Sequence, residues 1–66
     1  MKRIKFKRAV SVDYFSARLQ EWVDHTFERN DVITVESVSK FGRWADIKFR
    51  NGDKAESVSV LDFDEA

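Results

Sequence analysis

The chain has 66 residues, no Cys and no Pro, and its 12 Lys and Arg balance 12 Asp and Glu to a formal net charge of zero. That length holds one domain. The missing thiols exclude a disulfide scaffold and thiolate metal sites, and no apolar run approaches the roughly 18–20 residues that cross a bilayer. Hydrophobic residues at 42% and aromatics at 14% point to a folded chain rather than a disordered one. The basic start, 1–8, is not followed by the apolar stretch of a secretion signal. The expected compartment is the cytoplasm.

The first element is a strand. Ile4 and Phe6 alternate with Lys5 and Lys7, the period of a half-buried strand. From residue 12 the spacing changes. Val12, Phe15, Leu19, Trp22, Val23 and Phe27 recur every three or four residues, which predicts a helix capped by Ser11 and ended by Asn30 and Asp31. Trp22 lies on the apolar stripe and is expected to be buried. Arg18, Glu21, Asp24 and Glu28 fall on the opposite face of that helix.

The β-branched segment 32–39 predicts a second strand, with Ile33 and Val35 on one face. Lys40, Phe41 and Gly42 form the expected hairpin loop. Residues 43–50 alternate again: Ala45, Ile47 and Phe49 face the core, and Trp44, Asp46, Lys48 and Arg50 face away. Asn51-Gly52 signals a two-residue hairpin, and 54–61 is the last strand, with Val58 and Val60 inward. The expected fold is α+β, with order β-α-β-β-β. One amphipathic helix packs on a four-stranded, mostly antiparallel sheet, in a single domain 1–66 with an acidic tail from about 62.

Charge is distributed in blocks. Residues 2–8 carry five bases and no acid; 13–36 carry six acids against two bases; 40–54 carry five bases against two acids; and 56–66 carry four acids. Such blocks predict an electrically patchy surface, which bears on partners rather than on fold.

Catalytic signals are sparse. His25 is the only imidazole, and nothing in the spacing gives it a nucleophile to activate or a group to orient it. With only Gly42 and Gly52, the chain has no glycine-rich phosphate loop. Glu21, Asp24 and Glu28 are expected to be a solvated helix face. The chain is therefore expected not to be an enzyme and to need no cofactor or metal.

The informative surface is the sheet face that one helix cannot cover. Alternation assigns it Lys5, Lys7, Thr34, Glu36, Val38, Trp44, Asp46, Lys48 and Arg50, with Phe41 and Arg43 at its rim. Phe41, Arg43, Trp44, Lys48 and Arg50 are the candidate partner-binding residues, because exposed Trp and Arg most often carry interface energy. The acidic face of Glu21, Asp24 and Glu28 is the second candidate. A protein partner is expected first. Single-stranded nucleic acid comes second, since bases stack on rings while cations track phosphates. A homodimer comes third.

The run Trp44-Ala45-Asp46-Ile47-Lys48-Phe49 resembles the central-strand motif of RNA-recognition domains. It departs at Asp46, where a second stacking aromatic would stand, so no residue role is carried over. The whole plan, a basic strand, one helix with Leu19-x-x-Trp22-Val23 and a β-rich meander, resembles small accessory proteins of bacteriophages and prophages. That resemblance implies a cytoplasmic, non-enzymatic protein that binds or inhibits a host macromolecule.

Overall fold

A computed structural model describes residues 2–66; Met1 of the basic start lies outside the described residues. Seven strands follow in chain order: β1 (Lys2–Phe6), β2 (Val10–Ser16), β3 (Glu21–Phe27), β4 (Val32–Phe41), β5 (Trp44–Phe49), β6 (Lys54–Ser59) and β7 (Phe63–Glu65). They form one antiparallel sheet in the order β3-β2-β6-β5-β4-β1-β7. The described residues contain no helix, so the fold is all-β and not α+β, and the sheet has seven strands rather than four.

The segment expected to be helical is a hairpin. β2 and β3 pair along all seven residues, from Val10 opposite Phe27 to Ser16 opposite Glu21. Residues 17–20 make a single tight turn: Gln20 donates its N–H to the Ser16 carbonyl at 2.8 Å and adopts φ 56°. One such turn is too short to propagate a helix. The residues on either side, Val10, Val12, Tyr14 and Phe15, then Trp22, Val23, Thr26 and Phe27, are β-branched or aromatic and pack well on a pleated surface. Trp22 is consequently not a core residue; it is 48% exposed. The acidic helix face also disappears. Glu21 and Asp24, an odd number of residues apart on one strand, point to opposite sides, and Glu28 lies beyond the end of β3.

Two turns differ in detail from expectation. Phe41 belongs to β4 and sits opposite Trp44, leaving Gly42 and Arg43 as a two-residue loop with Gly42 at φ 64°. Positive φ at the first loop position is the type II′ pattern. At Asn51-Gly52 the loop is longer than two residues. Gly52 donates to the Phe49 carbonyl at 3.2 Å, Phe49 donates to the Asp53 carbonyl at 2.9 Å, and Gly52 has φ 94°. This is a type I turn closed by a glycine bulge.

Two bulges re-phase the strands. Between Val35 and Ser37 the register with β5 shifts, so Val35 and Val38 both face inward. Val38, expected on the outer face, packs against the core for this reason. The second bulge lies opposite Asp46, where β6 carries Ser57 at φ 56°.

Seven strands spaced about 4.8 Å apart would make a flat sheet roughly 29 Å wide and one layer thick. The molecule measures 28 × 24 × 23 Å, so the sheet is strongly curled. The β3 end of the sheet curls onto the inner face of β1, where the Phe6 ring stacks on Phe27 at 4.5 Å and 7°. The Phe6 backbone carries the β1–β4 ladder one step into the β3–β4 connection: it donates to the Asp31 carbonyl and accepts from the Asn30 N–H. The concave side holds the core: Ile4, Phe6, Val12, Phe27, Val35, Ala45, Ile47, Phe49, Ala55, Val58 and Phe63. A curled sheet buries its own apolar face, which is how the chain dispenses with a helix.

Three of the four acids of the last charge block meet bases of the first. β7 runs antiparallel to β1, and Lys2 and Lys40 meet Glu65, Lys7 meets Asp64 and Arg8 meets Asp62 at 3.1–3.5 Å. The acidic tail is thus a paired strand. Lys40, with Lys2 behind it, holds the Glu65 carboxyl below the usual carboxylate range.

Candidate interaction surface

The convex face of the sheet is open to solvent, and its side chains fall into rows across the strands. Directly opposite residues of an antiparallel pair share a face. Trp22 opposes Phe15, Phe15 opposes Lys54, Lys54 opposes Lys48, and Lys48 opposes Ser37. An aromatic–basic row therefore runs through β3, β2, β6, β5 and β4. Its contacts are tight: the Phe15 and Trp22 rings meet edge to face at 5.3 Å. The Lys54 ammonium stands 5.4 Å from the Phe15 ring centre and 5.8 Å from that of Trp22.

Two residues along each strand lies a second row. Asp24 opposes Asp13, and Asp13 opposes Glu56. Across the β6 bulge comes Asp46, which accepts the Ser57 N–H at 3.3 Å and opposes Ser39. Four carboxylates thus cross four adjacent strands. Ion pairs instead join Lys2, Lys7, Arg8 and Lys40 to Asp62, Asp64 and Glu65, away from this row. At one strand spacing per carboxylate the row extends about 14 Å, too far to converge on one cation, and among the described residues no cluster is set to hold a metal.

Beyond the carboxylates the face becomes hydroxylic and aromatic. Ser11 and Thr26 share a hydrogen bond of 3.0 Å. Farther along, Phe41 sits opposite Trp44, which in turn opposes Ser59. Phe41 is 50% and Trp44 45% exposed.

Of the expected partner-binding residues, Phe41, Trp44 and Lys48 share this face. Arg43 occupies the β4–β5 turn beside them, where its carbonyl accepts the Val60 N–H. Arg50 stands apart, past the end of β5, where it lines a cleft of about 380 Å³ with Tyr14, Phe27, Ile33, Thr34, Phe49 and Asn51. Of the acidic candidates only Asp24 reaches the convex face. Sequence reasoning missed Phe15, Trp22, Lys54, Asp13 and Glu56 as members of one surface. Their signal was the two-residue period of Asp13 and Phe15, of Trp22 and Asp24, and of Lys54 and Glu56.

The concave side near the β2–β3 edge holds the perturbed groups. Tyr14 donates its hydroxyl hydrogen to Asp53, whose other oxygen accepts the Ala17 N–H at 2.8 Å. Burial first, then Asp53 as acceptor and as charge, pushes the Tyr14 hydroxyl well above its ordinary pKa. The Tyr14 and Ala17 hydrogen bonds hold Asp53 low. These contacts tie the β5–β6 loop to the β2–β3 turn. His25 packs its ring on Tyr14 at 4.8 Å and Phe27 at 4.6 Å.

Among the described residues there is no helix long and apolar enough to cross a membrane. Comparison with protein-family models, with curated proteins and with solved structures found no match to the chain.

Proposed function

We propose that this is a small, non-enzymatic cytoplasmic protein that binds another protein through the convex face of its sheet. The observation that carries the reading is the pair of half-exposed tryptophans, Trp22 and Trp44, on one solvent-facing surface with a carboxylate row between them. Exposed aromatics supply interface energy, and the carboxylates select a partner with basic side chains and steer its approach. The absence of Cys fits a reducing compartment.

The same geometry weighs against single-stranded nucleic acid. At Phe15 and Trp22 the Lys54 ammonium already stands over rings on which bases would stack. Phosphates tracking Lys54 and Lys48 would also run beside the row of Asp24, Asp13, Glu56 and Asp46. The resemblance to phage accessory proteins rested partly on the helix; what remains of it is small size and a basic first strand.

The test is capture from bacterial lysate, with and without nuclease treatment, using the wild-type protein and Trp22→Ala and Trp44→Ala as bait. A polypeptide retained by wild type and lost with both folded variants supports the reading. Retention unchanged by both substitutions, or loss of retention on nuclease treatment, contradicts it.

A further inference from the structure

We infer that the free edge of β3 accepts an extended segment of the partner protein as an eighth strand. The segment runs antiparallel to β3, with a basic residue opposite Asp24 and an aliphatic or aromatic residue opposite Trp22. The inference deepens the proposed function and rests on it for the identity of the partner as a protein.

β3 stands at one end of the strand order and pairs only with β2, along its full seven residues. Its second edge therefore carries a regular series of backbone donors and acceptors. Proteins usually guard such an edge with Lys, Pro, a bulge or extreme shortness. The opposite end of the sheet follows that rule: β7 has three residues, and Asp64 and Glu65 are held in ion pairs. β3, with the sequence Glu-Trp-Val-Asp-His-Thr-Phe, has seven residues and no Lys, Pro or bulge; its charges, Glu21 and Asp24, are acidic and repel acidic strands while admitting a basic one.

Side chains at that edge are incomplete on both faces. On the convex face the aromatic–basic row ends at Trp22 and the carboxylate row ends at Asp24, each with a vacant lateral position. On the concave face Val23 is only partly buried and His25 is exposed, although both share the side of the core residue Phe27. An added strand would cover both and set the Cβ of a basic residue about 5 Å from that of Asp24, within reach of its carboxylate.

Charge decides between a foreign strand and a second copy. The antiparallel register that pairs all seven β3 residues of two copies puts Asp24 against Asp24, with an Asp13 behind each. Like charges directly opposite destabilise a sheet, and the neighbouring registers in phase lose pairs. A basic strand meets the same positions with opposite charge.

The probe is the peptide acetyl-Gly-Val-Thr-Ile-Arg-Val-Tyr-Lys-Gly-amide, which places Arg opposite Asp24 and Tyr opposite Trp22. Binding is followed by Trp22 fluorescence in a Trp44→Phe background. Two further peptides carry N-methyl groups on alternate residues, one on the Val, Ile, Val, Lys set and one on the Thr, Arg, Tyr set. Only one set can point its N–H groups at β3, so one methylated peptide should bind like the parent. The other should bind roughly 10-fold or more weaker. Asp24→Lys should weaken the parent peptide to a similar degree while leaving the protein folded.

Equal binding by both methylated peptides overturns edge pairing and leaves the convex-face reading standing. Absence of parent-peptide binding overturns the inference, as does sedimentation of the free protein as a dimer that Asp24→Lys dissociates. Conversely, binding that obeys the methylation pattern but is unchanged by Trp22→Ala, followed by backbone amide shifts, keeps the edge and removes the tryptophan-based reading.

Discussion

Shrinking Phe6 and Phe27 to Leu, singly and together, measures whether the β3 end of the sheet curls onto β1. Phe6 is fully buried, and its ring lies parallel to that of Phe27 at 4.5 Å. Either substitution removes the ring pair, worth about 0.5–1.5 kcal/mol beyond simple burial. Each also leaves a void of roughly 20–30 Å³, or about 0.5–0.7 kcal/mol at about 24 cal/mol per Å³. Each single variant should therefore lose about 1–2 kcal/mol, within the roughly 3–10 kcal/mol available to a domain of this length. Because the pair can be lost only once, the double variant should lose less than the two singles combined, by about 0.5–1.5 kcal/mol. Urea unfolding at unchanged m gives the three values. Additivity within about 0.3 kcal/mol would mean that the rings do not meet, and would refute the curled sheet.

Other perturbations bear on separate features. Ser57→Gly relieves a left-handed residue in the β6 bulge and should stabilise by about 1 kcal/mol, raising Tm by roughly 4–8 °C; a lower Tm would contradict the bulge. The neutral Tyr14 hydroxyl is favoured by folding, so its contribution is complete below its unfolded pKa of about 10 and is lost as pH rises above that. Asp53, held low, contributes above about pH 3.9 and loses its contribution as pH falls below that value. Urea unfolding against pH should show both limbs, with Tyr14→Phe flattening the alkaline one; an unchanged alkaline limb would remove Tyr14 from the account. Trp22→Ala, at a half-exposed site, should cost about 1–2 kcal/mol rather than the roughly 3–5 of a core aromatic; an unfolded variant would restore Trp22 to the core.

The β-rich C-terminal half was legible because one period dominates it. Ala45, Ile47, Phe49 and Val58 alternate with polar residues and are all buried, and Gly42 and Gly52 mark turns whose positive φ they supply. Exposure of Trp44 follows from the same alternation, whereas Phe41, expected in the hairpin loop, is the last residue of β4 opposite it. The segment 10–27 satisfies two periods at once. Phe15 and Trp22 are apolar yet face solvent as a cross-strand pair, and with Val12, Leu19, Val23 and Phe27 they imitate a helical stripe. Alternation of Val10, Val12 and Tyr14, and of Val23, His25 and Phe27, was present but masked by these outer aromatics. Turn residues Ala17, Arg18, Leu19 and Gln20 are good helix formers, which removed the break that would have divided the hairpin. The pairing of Asp62, Asp64 and Glu65 with Arg8, Lys7 and Lys2 joins the two ends of the chain, and no local pattern encodes that.

The convex surface exists only if residues 10–27 form the hairpin that brings Phe15 and Trp22 to Lys54. Proton NMR of the free protein tests this directly through nuclear Overhauser contacts and ring-current shifts at Lys54. The expected result is contacts from the Lys54 side chain to both rings, with its methylene protons shifted upfield and returning toward random-coil positions in Phe15→Leu. Helical contacts between residues three apart through 12–27, with Lys54 methylenes at random-coil shifts in the wild type, would contradict it.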